Sequence, residues 1–252
     1  MKAFCDYSRG ILFTIIQLFA ICAQEAFAQY TLNLQSGNGS IGQPDALVQV
    51  QGSATPFMAS SGFPLQDAFV VSPFYLWTTA GIAAPWVSPA LNTVCLRGGY
   101  EYFETFVLPA NVASATLGLT WRSDDISAPL LNGNDLAGGQ TWGSAENQPG
   151  HFAYPTPATF TSDVTALVNP GVNRLSFLVG NADTGGDNPT GLQFTANLTY
   201  TVVPEPSIAT LLSLTALVAV WRRAILAEGQ KTEHLAGPQQ TSTPSVAGAV
   251  LA

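Results

Sequence analysis

The stretch LQFTANLTYTV, residues 192–202, decides the predicted fold because apolar and polar side chains alternate along it without interruption. One face carries Leu192, Phe194, Ala196, Leu198, Tyr200 and Val202. The other face carries Gln193, Thr195, Asn197, Thr199 and Thr201. Alternation with a period of two is typical of a β-strand that buries one face. We therefore predict a half-buried strand, which Pro204 ends because proline cannot donate to a central ladder.

Shorter segments upstream show the same pattern. The further strand candidates are Leu47–Val50, Phe69–Val71, Tyr75–Trp77, Glu101–Leu108, Leu117–Trp121 and Leu175–Val179. Asn132–Gly133 is a pair typical of a tight hairpin turn. No helix of ordinary length is predicted between residues 29 and 203. Short strands separated by turn residues predict an all-β fold, an antiparallel β-sandwich or jelly roll.

The composition excludes some classes of function. Only 10% of the 252 residues are charged, and the formal net charge is −8. Between residues 29 and 203, eleven acidic residues accompany three arginines. Such an acidic surface repels phosphate backbones, so nucleic-acid binding is disfavoured. Cys95 is the single cysteine of this region, which excludes an intrachain disulfide there.

The N-terminal residues have the pattern of a secretory leader. Lys2 and Arg9 precede the apolar run 10–22, and small residues follow. The expected cleavage motif is formed by Ala26, Ala28 and Gln29. We predict a signal peptide over residues 1–28, handled by the secretion translocon and signal peptidase. An uncleaved membrane anchor is the alternative, whereas lipoprotein processing at Cys22 is disfavoured by the bulky Ile21 before it.

The C-terminal region combines three features over residues 204–223. Pro204–Glu205–Pro206 is followed by the uncharged segment 207–221 and then by Arg222–Arg223. As a helix, the uncharged segment would be about 22 Å long, which is shorter than a hydrocarbon core of about 30 Å. This length favours a temporary transmembrane helix, with the basic pair on the cytoplasmic side. The polar residues 224–252 are predicted to be disordered.

Together, Pro204–Glu205–Pro206, the apolar segment and the arginine pair resemble the PEP-CTERM sorting signal of Gram-negative bacteria. The resemblance implies recognition by exosortase, a membrane transpeptidase-like enzyme, and a transient stay in the inner membrane. It also implies cleavage near the motif and release to the cell surface or an exopolysaccharide matrix. Members of this class usually end a few residues after the basic cluster, and residues 224–252 depart from that pattern.

The middle of the chain resembles the galactose-binding-like β-sandwiches of bacterial surface proteins. The matching segments are Trp86–Pro89, Gly99–Phe106, Leu108–Pro109, Ala115–Trp121, Ser123–Asp125, Leu131–Gly133, Phe160–Thr165 and Pro170–Leu175. The most specific part is the aspartate–valine–threonine turn followed by glycine–x–asparagine. The resemblance covers most of residues 69–202 and implies a single domain over 29–203. It implies the fold better than the ligand, because this fold carries many functions.

A sugar site is predicted in the long loop 138–157. Trp142 and Tyr154 supply aromatic surfaces there, and His151 lies between them. Aromatic rings with polar neighbours are typical of glycan-binding platforms, and packing within the loop is the alternative. Trp77, Trp86 and Trp121 are predicted to lie in the core or on a sheet face.

Catalysis is disfavoured. The region has one histidine and no G-x-S-x-G motif, so a serine hydrolase site is not expected. Asp124–Asp125 is predicted to form a solvated turn, with a pair of glycosidase carboxylates as the alternative. Hard oxygen ligands suit Ca²⁺, but the carboxylates that would supply them do not have the spacing of a calcium loop. These carboxylates are Asp124, Asp125, Asp183 and Asp187. We therefore expect no cofactor.

The leading hypothesis is a non-enzymatic exported protein that is sorted to the cell surface or the exopolysaccharide matrix. The second hypothesis is a carbohydrate-binding module that binds extracellular polysaccharide. A glycan hydrolase is the third and weakest.

Overall fold

The computed structural model describes residues 28–136, 138, 148–182, 188–203 and 215–223. The chain divides into two compact units, Ala26–Pro204 and a second unit made of Met1–Glu25 and Glu205–Ala252. Residues 215–223, which include Arg222 and Arg223, are α-helical. Across the described residues, no helix has the length and apolar character needed to cross a membrane.

Several predictions fall outside the described residues. These are the leader up to residue 27, the motif Pro204–Glu205–Pro206, the first half of the apolar segment 207–221 and the tail 224–252. They stay predictions from the sequence.

The unit Ala26–Pro204, here called the β domain, is built from antiparallel strands. Their bounds are β1 (Ala28–Gln35), β2 (Pro44–Gly52), β3 (Gln66–Val71), β4 (Trp86–Ser88), β5 (Val94–Cys95), β6 (Gly98–Leu108), β7 (Val112–Asp124), β8 (Ile126–Leu131), β9 (Asn134–Asp135), β10 (Ala158–Asp163), β11 (Gly171–Asn181), β12 (Asn188–Pro189) and β13 (Gly191–Val202).

The strands pair in the order β10-β7-β13-β4-β3-β2-β6-β11-β8-β9, and β1 also pairs with β13. The ladder folds back on itself into two layers. One layer contains β10, β7, β13 and β1, and the other contains β2, β6, β11 and β8. Phe177 of β11 meets Phe194 of β13 across the interior, with ring centroids 4.8 Å apart. The prediction of an antiparallel all-β fold is confirmed.

The core follows the predicted alternation. Leu192, Phe194 and Leu198 of β13 are buried, as the sequence predicts. Tyr100 and Tyr102 of β6 face them from the other layer and are also buried. The predicted buried tryptophans Trp77, Trp86 and Trp121 are confirmed as well. Cys95 is a free thiol, and burial raises its pKa to about 11, so it packs as a small apolar residue.

The turn predictions are confirmed in detail. Asn132 and Gly133 have φ angles of 52° and 80° and connect β8 to β9. Asn173 explains the glycine–x–asparagine pattern, because its buried amide makes four hydrogen bonds. It donates to the carbonyls of Asn169 and Gly171, and it accepts from the Asn169 N–H and the Asn132 amide.

Two elements differ from the sequence prediction. β1 was not predicted, because its residues merge into a segment rich in Gly, Ser and Asn. Tyr75–Trp77 is not a strand: Tyr75 and Leu76 form an exposed turn, and Trp77 is buried. The prolines around this segment favour a turn over a ladder.

The first strand begins beside the end of the last one. Ala28 pairs with Val202, and Gln29 pairs with Thr201. Just beyond, the Val203 N–H donates to the Asn111 carbonyl over 2.8 Å. The Asn111 side-chain amide donates to the Val203 carbonyl. The two ends of the β domain therefore lie next to each other.

Candidate functional site

A long segment, residues 72–85, crosses the outer face of β7 and β13. Two buried side chains on that face hold it, Arg122 from β7 and its cross-strand neighbour Gln193 from β13. Their donors reach the carbonyl oxygens of Thr78, Ala80, Ile82 and Ala84. Arg122 is 0% exposed, and burial lowers its pKa to about 10. It therefore stays protonated at neutral pH and keeps all of its N–H donors.

The crossing segment carries a tryptophan pair. Trp77 stacks on Trp86 with ring centroids 4.3 Å apart. Its indole Nε1 donates to Oδ2 of Asp124 over 2.6 Å. Gly191 makes room for the ring, because a Cβ at that position would lie 2.5 Å from the indole. Stacking and the hydrogen bond together fix the position of Trp77.

Asp124 is buried, so the prediction of a solvated turn at this residue is wrong. Its side chain is 2% exposed. Burial, followed by the neighbouring Asp125 carboxyl, raises the pKa of Asp124 well above its ordinary value. Asp125 instead accepts the Ala182 N–H over 2.8 Å. With one oxygen held by Trp77, Asp124 is arranged as a structural hydrogen-bonding group.

An open groove lies beside this buried network, with a volume of about 490 Å³. It is lined by Ile41, Gly42, Val70, Val71, Ser72, Pro73, Phe74, Tyr75, Leu91, Asn92 and Thr93. None of these side chains is charged. Tyr75 is 82% exposed and leans on Phe74, with ring centroids 4.5 Å apart. The groove, here called the Tyr75 groove, thus combines an accessible aromatic ring with apolar walls and a few polar groups.

The buried network holds the groove in place. The backbone N–H of Trp77 donates to the Phe74 carbonyl over 2.7 Å, which closes the turn that presents Tyr75. On the opposite wall, the Thr93 carbonyl accepts the Thr190 N–H over 3.0 Å. The Thr190 hydroxyl in turn donates to the Asp124 carbonyl over 2.7 Å. Both walls are therefore connected to Asp124.

The predicted sugar platform is only partly described. Trp142 lies outside the described residues, as do Asp183 and Asp187 of the calcium alternative. His151 is 5% exposed, its Nδ1 accepts the Ala153 N–H, and its ring lies 4.0 Å from that of Phe152. Tyr154 is half-buried. A buried imidazole does not face a sugar, so His151 is not part of the Tyr75 groove or of a solvent-facing platform.

Comparisons with known proteins give distant matches. No protein-family model and no curated protein matches the chain. Among solved structures, a β-glucuronidase from an uncultured Clostridium sp. is 15% identical, with a TM-score of 0.37; the match covers 69% of this chain and 29% of that one. A CBM35 from Paenibacillus barcinonensis is 13% identical over 65% of this chain and 97% of that one, with a TM-score of 0.29. Likeness this distant carries no weight for function.

Proposed function

We propose that the β domain is a non-catalytic carbohydrate-binding domain and that the Tyr75 groove is its binding site. The observation that carries this proposal is the exposed Tyr75 ring in an uncharged groove. A tyrosine ring offers an apolar face and a polar hydroxyl, which suits a sugar ring with a C–H face and hydroxyl edges. The groove volume falls within the range of small-molecule sites, roughly 300–1,000 Å³.

The chemistry of the lining favours binding over hydrolysis. Glycoside hydrolysis needs two carboxyl groups beside the scissile bond, or another acid and base within hydrogen-bond reach. The residues that line the Tyr75 groove include no Asp, Glu, His or Cys. Asp124, which accepts the Trp77 indole N–H, is buried and does not line the groove. A ligand in this groove is therefore held without being cleaved.

Affinity electrophoresis of the purified protein through gels containing different polysaccharides tests the proposal. At least one polysaccharide should retard the wild type. Tyr75→Ala should weaken that interaction at least about fivefold, because loss of an aromatic contact costs about 1 kcal/mol in addition to the loss of buried apolar area. Val107→Ala is the control, since Val107 is also exposed but lies on β6 and does not line the groove. No retardation by any neutral or acidic polysaccharide would rule the proposal out, as would equal effects of the two variants.

The proposal includes delivery to the cell surface or exopolysaccharide matrix through the PEP-CTERM-like region 204–223. The sequence features that support it are the leader and the three-part C-terminal signal. Exosortase would act on Pro204–Glu205–Pro206 after the translocon and signal peptidase have exported the β domain. Glu205→Ala should leave the uncleaved protein in the inner membrane, detected by fractionation and mass spectrometry. Unchanged release of Glu205→Ala would contradict this part while leaving the groove proposal intact.

A further inference from the structure

Three strands of the sheet that runs from β10 to β9, with β1 attached to β13, pair on one side only. These strands are β1, β9 and β10. β1 has eight residues, against six in β10 and two in β9. Within the described part of the chain, β1 is therefore the longest strand that pairs on one side only, and at its end the Gln35 carbonyl accepts the Asn38 side-chain amide.

β1 also lacks the devices that normally protect an edge strand. Such devices are charged side chains, prolines and bulges. The sequence of β1, AQYTLNLQ, has no charged residue and no proline. Its register with β13 is continuous from Ala28 to Gln35, without a bulge. By contrast, β9 contains Asp135 and β10 contains Asp163.

We propose that β1 is a self-association edge, at which the β1 strands of two copies of this chain pair antiparallel about a two-fold axis near the middle of the strand. Antiparallel pairing of identical strands is self-complementary, as a two-fold interface requires. The chain carries a net charge of −8, so two copies repel each other over most of their surface. β1 itself carries no charged side chain that would add to this repulsion.

The side chains on β1 fit this arrangement. Tyr30 is exposed and stacks on Tyr200 of β13, with ring centroids 5.5 Å apart. Pairing of two β1 strands would cover this aromatic pair from the open side. Thr31 and Asn33 point to the outer face and are exposed. Uncharged β-branched and amide side chains pair well across antiparallel strands.

Self-association would give each assembly two Tyr75 grooves. Two linked sites bind a polymer more tightly than one, because the second contact forms at a high effective concentration. The proposal does not depend on carbohydrate binding, since the edge would pair whatever the groove holds.

Analytical ultracentrifugation of the full chain in a mild detergent tests the inference. The wild type should sediment as a dimer at tens of micromolar. A double variant, Thr31→Lys with Asn33→Lys, should be monomeric, because four like charges would meet at the two-fold axis. The matched control is Thr159→Lys with Thr161→Lys on the exposed face of β10, which should stay dimeric. A monomeric wild type, or dimers in both variants, would overturn the inference.

Cross-linking gives a second readout that a folding defect does not mimic. A variant with Thr31→Cys and Asn33→Cys should form a covalent dimer on mild oxidation, because the new thiols meet across the axis. The control with Thr159→Cys and Thr161→Cys should stay monomeric on a denaturing gel. Absence of the β1 cross-link, or an equal cross-link through β10, would also overturn the inference. Equal cross-links would point instead to contacts through the rest of the chain.

Discussion

Replacing Glu104 by glutamine should stabilise the protein at and above neutral pH. Glu104 lies on the core-facing side of β6, between Tyr102 and Phe106, and is 3% exposed. One of its carboxyl oxygens has no hydrogen-bond partner in the described structure. Burial, followed by the nearby Asp45 carboxylate, raises the pKa of Glu104 from 4.5 to about 7. The Asp45 oxygens are engaged elsewhere, because they accept four backbone N–H groups.

The sign and size of the effect follow from proton linkage. Below pH 4.5, Glu104 is protonated in both the folded and the unfolded chain, and its burial carries no ionisation cost. Between pH 4.5 and about 7 the unfolded chain releases the proton first, so stability falls as the pH rises. One pKa unit is worth about 1.4 kcal/mol. The rise of the Glu104 pKa from 4.5 to about 7 therefore lowers the free energy of unfolding at high pH by at most about 3 kcal/mol. Relaxation of the surroundings lowers the cost of burying the carboxylate, so we expect about 2 kcal/mol.

Thermal unfolding at pH 4, 6 and 8 measures the effect. Glu104→Gln should match the wild type at pH 4 and exceed its melting temperature at pH 8 by roughly 4–8 °C. The control is Glu101→Gln on the outer face of the same strand, where the carboxylate pairs with Arg174. That control should lose up to about 1 kcal/mol. If Glu104→Gln were less stable than the wild type at pH 8, or if its advantage did not grow with pH, the reasoning would be refuted.

Three further predictions concern groups that hold the β domain together. Arg122→Met should destabilise it by about 3 kcal/mol in urea unfolding, because buried carbonyls lose their donors; a change under 1 kcal/mol would show that water replaces the guanidinium. Gly99→Ala should prevent folding or cost more than about 3 kcal/mol by circular dichroism, since a Cβ there would lie 2.2 Å from the Ser53 carbonyl; a native-like melting curve would contradict this. Asp124→Asn should keep the stability at pH 7 within about 1 kcal/mol, because an amide also accepts from Trp77 and burial already favours the neutral acid; a larger loss would mean that Asp124 is ionised.

The sequence predicts the strands whose residues alternate clearly. Residues 101–108, 117–121 and 192–202 lie in β6, β7 and β13 as expected. The turn at Asn132–Gly133 was also predictable, because positive φ angles at both positions require such residues. β1 was missed because its alternation covers only a few apolar residues next to a polar loop. Local patterns thus predict the strands in which one face is uniformly apolar.

The candidate site was much less predictable. The Tyr75 groove combines residues near 41, 70–75 and 91–93, which become neighbours only after the ladder folds back. The useful local signal was a proline followed by two aromatic residues, Pro73–Phe74–Tyr75, which is more typical of a turn than of a strand. The burial of Arg122 and Asp124 was unpredictable for a different reason. Charged residues are rarely buried, and their partners here come from the distant segment 72–85.

The adjacency of Ala28 and Val202 determines how the β domain would respond to mechanical load. A force that separates these two points would act at the open end of the β1–β13 ladder and break its hydrogen bonds one pair at a time, as in a zipper. Shear along the strands would instead load many of these bonds at once. Asn111 holds Val203 to the neighbouring turn, so the Val203 contacts would have to break before β13 is peeled. β1 is therefore the strand that tension between these two points would detach first.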